Sequence, residues 1–128
     1  MADTEKVTIN MSVVDLGQID LLAEQGFYSS RTDFIRTAIR RQLDGHAEDV
    51  RRTVARKTSV VGAMVFGKAE LEQLVADGKH LDIRVVGLLA LGKDVTPELA
   101  QAAIQSIEVH GVFRASSEVK TALAGRIR

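Results

Sequence analysis

The chain has 128 residues, 45% of them hydrophobic and 27% charged, the balance of a soluble, core-forming polypeptide rather than a disordered one. Seventeen Lys and Arg cancel seventeen Asp and Glu, so no long-range field draws the whole molecule to nucleic acid or to an anionic membrane. No Cys, no Trp and only three histidines (His46, His80, His110) remove disulfides, thiol nucleophiles and thiolate metal sites, and argue against a stacking platform for single strands; no catalytic residue, no metal site and no cofactor is expected.

The opening MADTEKVTINM is acidic and polar where a secretory signal would be basic and then apolar, and no apolar run reaches the roughly 18 residues of a membrane span. A cytoplasmic location without a membrane partner is expected. Residues 5–12 alternate with period two, placing Val7, Ile9 and Met11 on one face of a half-buried strand and Lys6, Thr8 and Asn10 on the other. Ser12 with Asp15 makes a capping box for a helix whose apolar face is Leu16, Ile19, Leu22 and Ala23 and which stops at Gly26. Ser30 with Asp33 repeats that start signal, and Phe34, Ile35, Ala38, Ile39 and Leu43 carry a second amphipathic helix to Asp44-Gly45. Residues 46–58 read as a basic linker with partial helical character. They close the one basic region of the chain, where Arg31, Arg36, Arg40, Arg41, Arg51, Arg52, Arg56 and Lys57 face Asp33, Asp44, Glu48 and Asp49.

Beyond residue 58 a repeat emerges. Val60–Lys68, Val85–Lys93 and Val109–Ser117 align on Gly62, Gly87 and Gly111, with Leu74, Leu99 and Leu123 following at a constant distance inside the helical segments Glu70–Ala76, Pro97–Ala103 and Glu118–Ala124. Each unit reads as strand, turn, helix. Three of them predict a parallel sheet with helices on one side, either open or as a small solenoid, with the glycines in a column or as plain turn glycines. Both alternating sets of the first two strands are apolar, so one face needs a cover that the chain does not itself supply. A second copy is the simplest one. The third strand carries His110 and Arg114, as a polar end unit would.

A seven-residue strand and two three-turn helices cannot bury a sufficient core alone. Two chains can, by pairing their strands antiparallel, with Val7, Ile9 and Met11 over four helices and Lys6, Thr8 and Asn10 outward. A two-stranded ribbon fits the major groove of B-form DNA, where lysine, threonine and asparagine can bond base edges. The residues Lys6-Val7-Thr8-Ile9-Asn10-Met11 and Gly26 to Arg40 resemble the ribbon-helix-helix repressors, in the CopG-like branch of the Arc and methionine repressor superfamily, over about residues 5–44. That resemblance implies base contacts from Lys6, Thr8 and Asn10 and phosphate contacts at the second helix start from Ser29, Ser30 and Arg31. Arg36, Arg40 and Arg41 are candidates for additional phosphate contacts or form that helix's solvated face.

The expected fold is α+β: a ribbon-helix-helix DNA-binding domain over 1–45 forming an intertwined dimer, a linker over 46–58, and a small α/β domain of three strand-helix repeats over 59–128 for oligomerisation or an effector. The expected function is a sequence-specific transcriptional regulator of double-stranded DNA, a repressor and not an enzyme, an obligate homodimer through strand 6–12 and a higher oligomer through 59–128. The alternative is an antitoxin that binds its operator and a toxin partner. Antitoxin tails are polar and disordered before binding, whereas residues 59–128 are patterned for a core. The nickel-responsive members of the superfamily also append a sensor domain, but their histidine and cysteine cluster has no counterpart here.

Overall fold

The computed structural model describes residues 4–128, so the first three residues of the polar N-terminal segment lie outside it. The described chain is α+β, with six α-helices, a terminal 3₁₀ turn and one three-stranded parallel sheet, and it divides into two compact units, residues 4–52 and 53–128.

In the first unit, residues 4–12 have no hydrogen-bonded secondary structure; a period-two segment needs a neighbouring strand for its backbone, and a single chain offers none. Helix α1 (Val13–Glu24) begins where the Ser12 hydroxyl accepts from the amides of Val14 and Asp15, and the chain turns out of it at Gly26, whose φ of 87° suits only glycine without strain. Helix α2 (Arg31–Gly45) starts at Ser30, whose hydroxyl accepts from the Asp33 amide at 3.1 Å. The Asp33 carboxylate accepts in turn from the amide of Ser29, one residue before the cap, at 2.9 Å. His46 separates α2 from α3 (Ala47–Lys57), so the basic stretch read as a linker is regular helix for eleven residues. The sequence hides this because Val50 and Val54 are the only large apolar residues in it.

In the second unit β1 (Val60–Phe66), β2 (Leu81–Leu91) and β3 (Ile104–Arg114) are joined by α4 (Lys68–Ala76) and α5 (Pro97–Ala103), and α6 (Ser117–Leu123) follows β3. The sheet is parallel in the order β1-β2-β3, and its register aligns Gly62, Gly87 and Gly111 on one rung. Helices α5 and α6 are capped by the hydroxyls of Thr96 and Ser116, which accept from Leu99 and Val119, with Pro97 at the first position of α5, where a missing N–H costs nothing.

All three helices cover one face. Leu71, Leu99, Ala100, Ala103, Val119 and Leu123 pack against Met64, Phe66, Ile83, Val85, Leu89, Leu91, Ile107, Val109 and Phe113. The other alternating set, Val61, Ala63, Val65, Val86, Leu88, Ala90 and Val112, lies on the opposite face, where Val61 and Val65 are 63% and 62% exposed. The outer edge of β3 is met at its start by the C-terminus, Ile127 bridging Ile107 and the Arg128 amide donating to the Ile107 carbonyl at 2.8 Å.

The glycine rung is a column of close backbone approach. A Cβ on Gly87 would lie 2.1 Å from the Gly62 carbonyl oxygen and one on Gly111 would lie 2.0 Å from that of Gly87, while one on Gly62 meets nothing within 4 Å; all three have φ between 127° and 137°. Gly87→Ala and Gly111→Ala therefore combine backbone strain with a carbonyl collision and should each cost more than about 2 kcal/mol, whereas Gly62→Ala carries the strain alone, about 1–3 kcal/mol. Thermal denaturation of the three variants should rank Gly62→Ala as the mildest; a Gly62→Ala variant as damaging as the other two would remove the collision from the account.

Candidate nucleic-acid interface

The short segment 4–12 lies alongside two helices that bury little of their own apolar surface. Within residues 4–52, Ile19 is the one buried apolar residue, at 6% exposure, while Val7 and Ile9 are 78% and 68% exposed and Leu21, Phe27, Ile39 and Leu43 are exposed as well. A groove of about 760 Å³ is lined by residues 7–11 together with Leu16, Arg31, Ile35 and Ile39, and a second of about 360 Å³ by Met11, Asp15, Gln18, Ile19, Leu22 and Phe34. The apolar faces expected to form a core thus point into open grooves. Tyr28 and Phe34 meet edge to face at 4.9 Å beside the turn that enters α2.

The residues expected to read bases are placed as follows. Lys6, Thr8 and Asn10 are exposed. Thr8 and Asn10 line the larger groove together with Val7, Ile9 and Arg31, so in the single chain the two alternating sets are not sorted onto separate faces, and Lys6 stands apart from that lining.

The expected phosphate residues cluster at the start of α2. Ser30 takes the Asp33 amide, and no acceptor among the described residues takes the amides of Arg31 or Thr32, which leaves two orphan donors at the positive end of a fifteen-residue helix. Ser29 and Ser30 are exposed beside them. Arg31 is not a loose side chain: its Nε and one terminal nitrogen donate to both carboxylate oxygens of Asp20 on α1, at 3.1 and 2.9 Å. This bidentate pair holds the Asp20 carboxyl below the usual carboxylate range through the hydrogen bond from Arg31. Whatever it adds to stability is complete above the ordinary carboxylate pKa and is lost as pH falls through the lowered value of Asp20.

Asp20 escaped the sequence reading because it sits on the exposed side of α1, eleven positions before Arg31, and only the turn at Gly26 brings the two together. Arg36, Arg40 and Arg41 are exposed along α2. At 1.5 Å per residue Arg36 and Arg40 lie about 8 and 13 Å along the helix from Arg31, so these arginines run away from the cluster at its start. In α3, Arg51 pairs with Glu48, and Arg52 with Asp49 at 2.5 Å.

No helix among the described residues is long and apolar enough to cross a membrane. No curated protein and no solved structure matches the chain. A family model of ribbon-helix-helix transcriptional regulators matches residues 2–120, extending past the N-terminal motif through all three strands of the sheet. With nearly its whole length matched, the chain belongs to the ribbon-helix-helix transcriptional regulator family.

Proposed function

We propose that the protein is a cytoplasmic repressor that reads the major groove of double-stranded DNA with a two-stranded antiparallel ribbon, each strand supplied by residues 6–12 of one chain. The observation that carries this reading is the unspent apolar surface of residues 4–52: a segment of alternating pattern, two capped helices, open grooves beneath them and Ile19 as the one buried apolar residue. A second copy placed over those grooves gives Val7, Ile9 and Met11 a core, gives the strand backbone its partner and turns Lys6, Thr8 and Asn10 outward toward base edges. In this reading the homodimer is obligate, the α2 start grips phosphate through Ser29, Ser30 and Arg31, and Arg36, Arg40 and Arg41 supply further phosphate contacts. Residues 59–128 serve as the assembly domain that joins chains into a larger oligomer. An antitoxin role is less well supported, because residues 59–128 fold into a sheet with its own core instead of the polar tail that such a role calls for.

Ile9→Asp should dissociate the dimer, since a carboxylate in the ribbon core is buried at a cost of several kcal/mol, and sedimentation would show the loss. Thr8→Ala and Asn10→Ala should keep the dimer while discrimination between operator and scrambled DNA falls by about 1–3 kcal/mol per lost contact. Normal discrimination in both would remove them from the reading face.

The Asp20–Arg31 pair gives the phosphate part its own test. Arg31→Ala should weaken specific and non-specific binding alike and flatten the logarithmic salt dependence by about one unit. Asp20→Asn takes a negative charge from beside the phosphate and leaves the arginine in place, so it should tighten binding to any duplex. Weaker binding by Asp20→Asn would mean that the carboxylate acts chiefly by orienting Arg31.

A further inference from the structure

The two edges of the β1-β2-β3 sheet are finished differently. At the outer edge of β3 the C-terminus bridges Ile107, and Glu108, His110 and Arg114 bring charged or polar side chains to the rest of the strand. The outer edge of β1 has neither device. Its seven residues read VVGAMVF, with no charge and no proline to blunt them. Every exposed large apolar residue of the described sheet, Val60, Val61 and Val65, stands on this strand, while Leu88 beside it on β2 is buried. The uncovered apolar surface of the sheet is therefore an edge. Its backbone is open as well. The Phe66 carbonyl accepts from the Gly92 amide on the β2 side, and because backbone groups alternate in direction along a strand, the N–H and C=O of Val61, Ala63 and Val65 point away from β2. Among the described residues no backbone group outside the sheet bonds to them.

We propose that β1 pairs antiparallel with β1 of a second copy of the chain, about a twofold axis at Ala63, so that the two sheets become one continuous sheet. The outward set selects this occupant, because it is symmetric about Ala63. A strand reversed on itself there sets Val61 opposite Val65 and Ala63 opposite Ala63, and every outward N–H and C=O of both copies is bonded at once. The side chains match in the same register. Val61 and Val65 of one copy meet Val65 and Val61 of the other on the face away from the helices, and on the helix side Gly62, where an added Cβ would meet nothing within 4 Å, leaves room opposite Met64.

Closure points the same way. A contact of β1 with β3 of another copy would repeat from chain to chain without end, and the C-terminus already occupies the start of the β3 edge. A contact of β1 with β1 uses up both open edges and stops, as a twofold contact does. An unrelated extended segment would find no charged or polar side chain on VVGAMVF to recognise, whereas a second copy is matched residue for residue. The inference names the contact behind the assembly role given above to residues 59–128 and does not rest on the ribbon or on DNA.

The native chain has no cysteine, so single cysteines in the intact protein report the register. Residues facing each other in a hydrogen-bonded antiparallel pair lie about 5.5 Å apart at Cα, within the span of a disulfide. Under mild oxidation Ala63→Cys chains should cross-link about tenfold or more above chains carrying Glu72→Cys, which lies exposed on α4. Val61→Cys chains should join poorly with one another, their copies of that position being about 14 Å apart along the strands, and well with Val65→Cys chains. Adding Val61→Lys and Val65→Lys to Ala63→Cys sets like charges face to face and should abolish the excess with the fold retained by circular dichroism, since both positions are exposed. Val61→Glu with Val65→Lys sets opposite charges face to face and should keep it. Equal cross-linking at positions 63 and 72, self-joining at 61 as strong as at 63, or a cross-link indifferent to the two charge pairs would overturn the proposal. The Ile9→Asp chain keeps this contact apart from the ribbon. There the Ala63→Cys cross-link should persist, and its loss in a folded protein would also overturn the proposal; a persistent cross-link with no change of mass from Ile9→Asp would remove the ribbon contact and leave this one standing.

Discussion

Apolar burial is divided so unevenly along this chain that its association follows from its packing. Apart from Ile19, every buried hydrophobic residue among those described lies between Leu71 and Leu123, and all of these but Leu88 lie where the three helices close over one face of the sheet. Residues 4–52 have caps, turns and an aromatic pair but no comparable core, so local hydrogen bonds hold the helices while the hydrophobic term that should hold them together is largely unrealised. A unit in that state is completed by mass action. In the proposed dimer its folding, its dimerisation and its ability to bind DNA become one equilibrium that depends on protomer concentration.

The second unit meets its constraint internally. In-register parallel pairing puts three backbone segments within contact distance along the glycine rung, and only residues without a Cβ can sit there at φ near 130°. Placing the rung at the same point of each repeat keeps the helix-facing set of every strand in phase, so that Val85, Leu89 and Leu91 meet Val109 and Phe113 in a common layer. The same phase turns the opposite set away from those helices, with Val61 and Val65 exposed at its edge and Leu88 of the central strand buried.

Much of this was legible in the sequence wherever the signal was local or periodic. Ser12, Gly26 and Ser30 marked the helix ends because a hydroxyl or a missing Cβ acts within a few residues, and Gly62, Gly87 and Gly111 announced the repeat because the register needs a constant spacing. Three things were not legible. Helix α3 has too few apolar residues for periodicity to register, its polar surface being held by pairs such as Arg51 with Glu48. The open face could not be told from the covered one, because Val61 and Val86 are as apolar as Met64 and Leu89, and only the packing of α4, α5 and α6 decides between them. The pairing of Arg31 with Asp20 depends on how the turn between α1 and α2 folds back, which no spacing rule states. The strand at 6–12 is a different matter: its pattern is clear, but a strand is a property of two backbones.

That pairing also bears on how a protein of zero net charge can discriminate among DNA sites. A highly basic surface binds every duplex through counterion release and then has to find its operator against that background. Here part of the basic region is neutralised in place: Arg31 by Asp20, Arg51 by Glu48 and Arg52 by Asp49. In the proposed complex, a phosphate at the start of α2 gains the Arg31 and Thr32 amides and the helix dipole, but it must share the Arg31 guanidinium with a carboxylate already bound to it. The gain common to all sequences is kept small, and a larger share of the binding free energy then falls to the ribbon residues Lys6, Thr8 and Asn10, whose contacts differ from one base pair to the next. In that complex the acid at position 20 lowers affinity for every duplex alike, and the ratio by which one site is told from another is left to the ribbon residues.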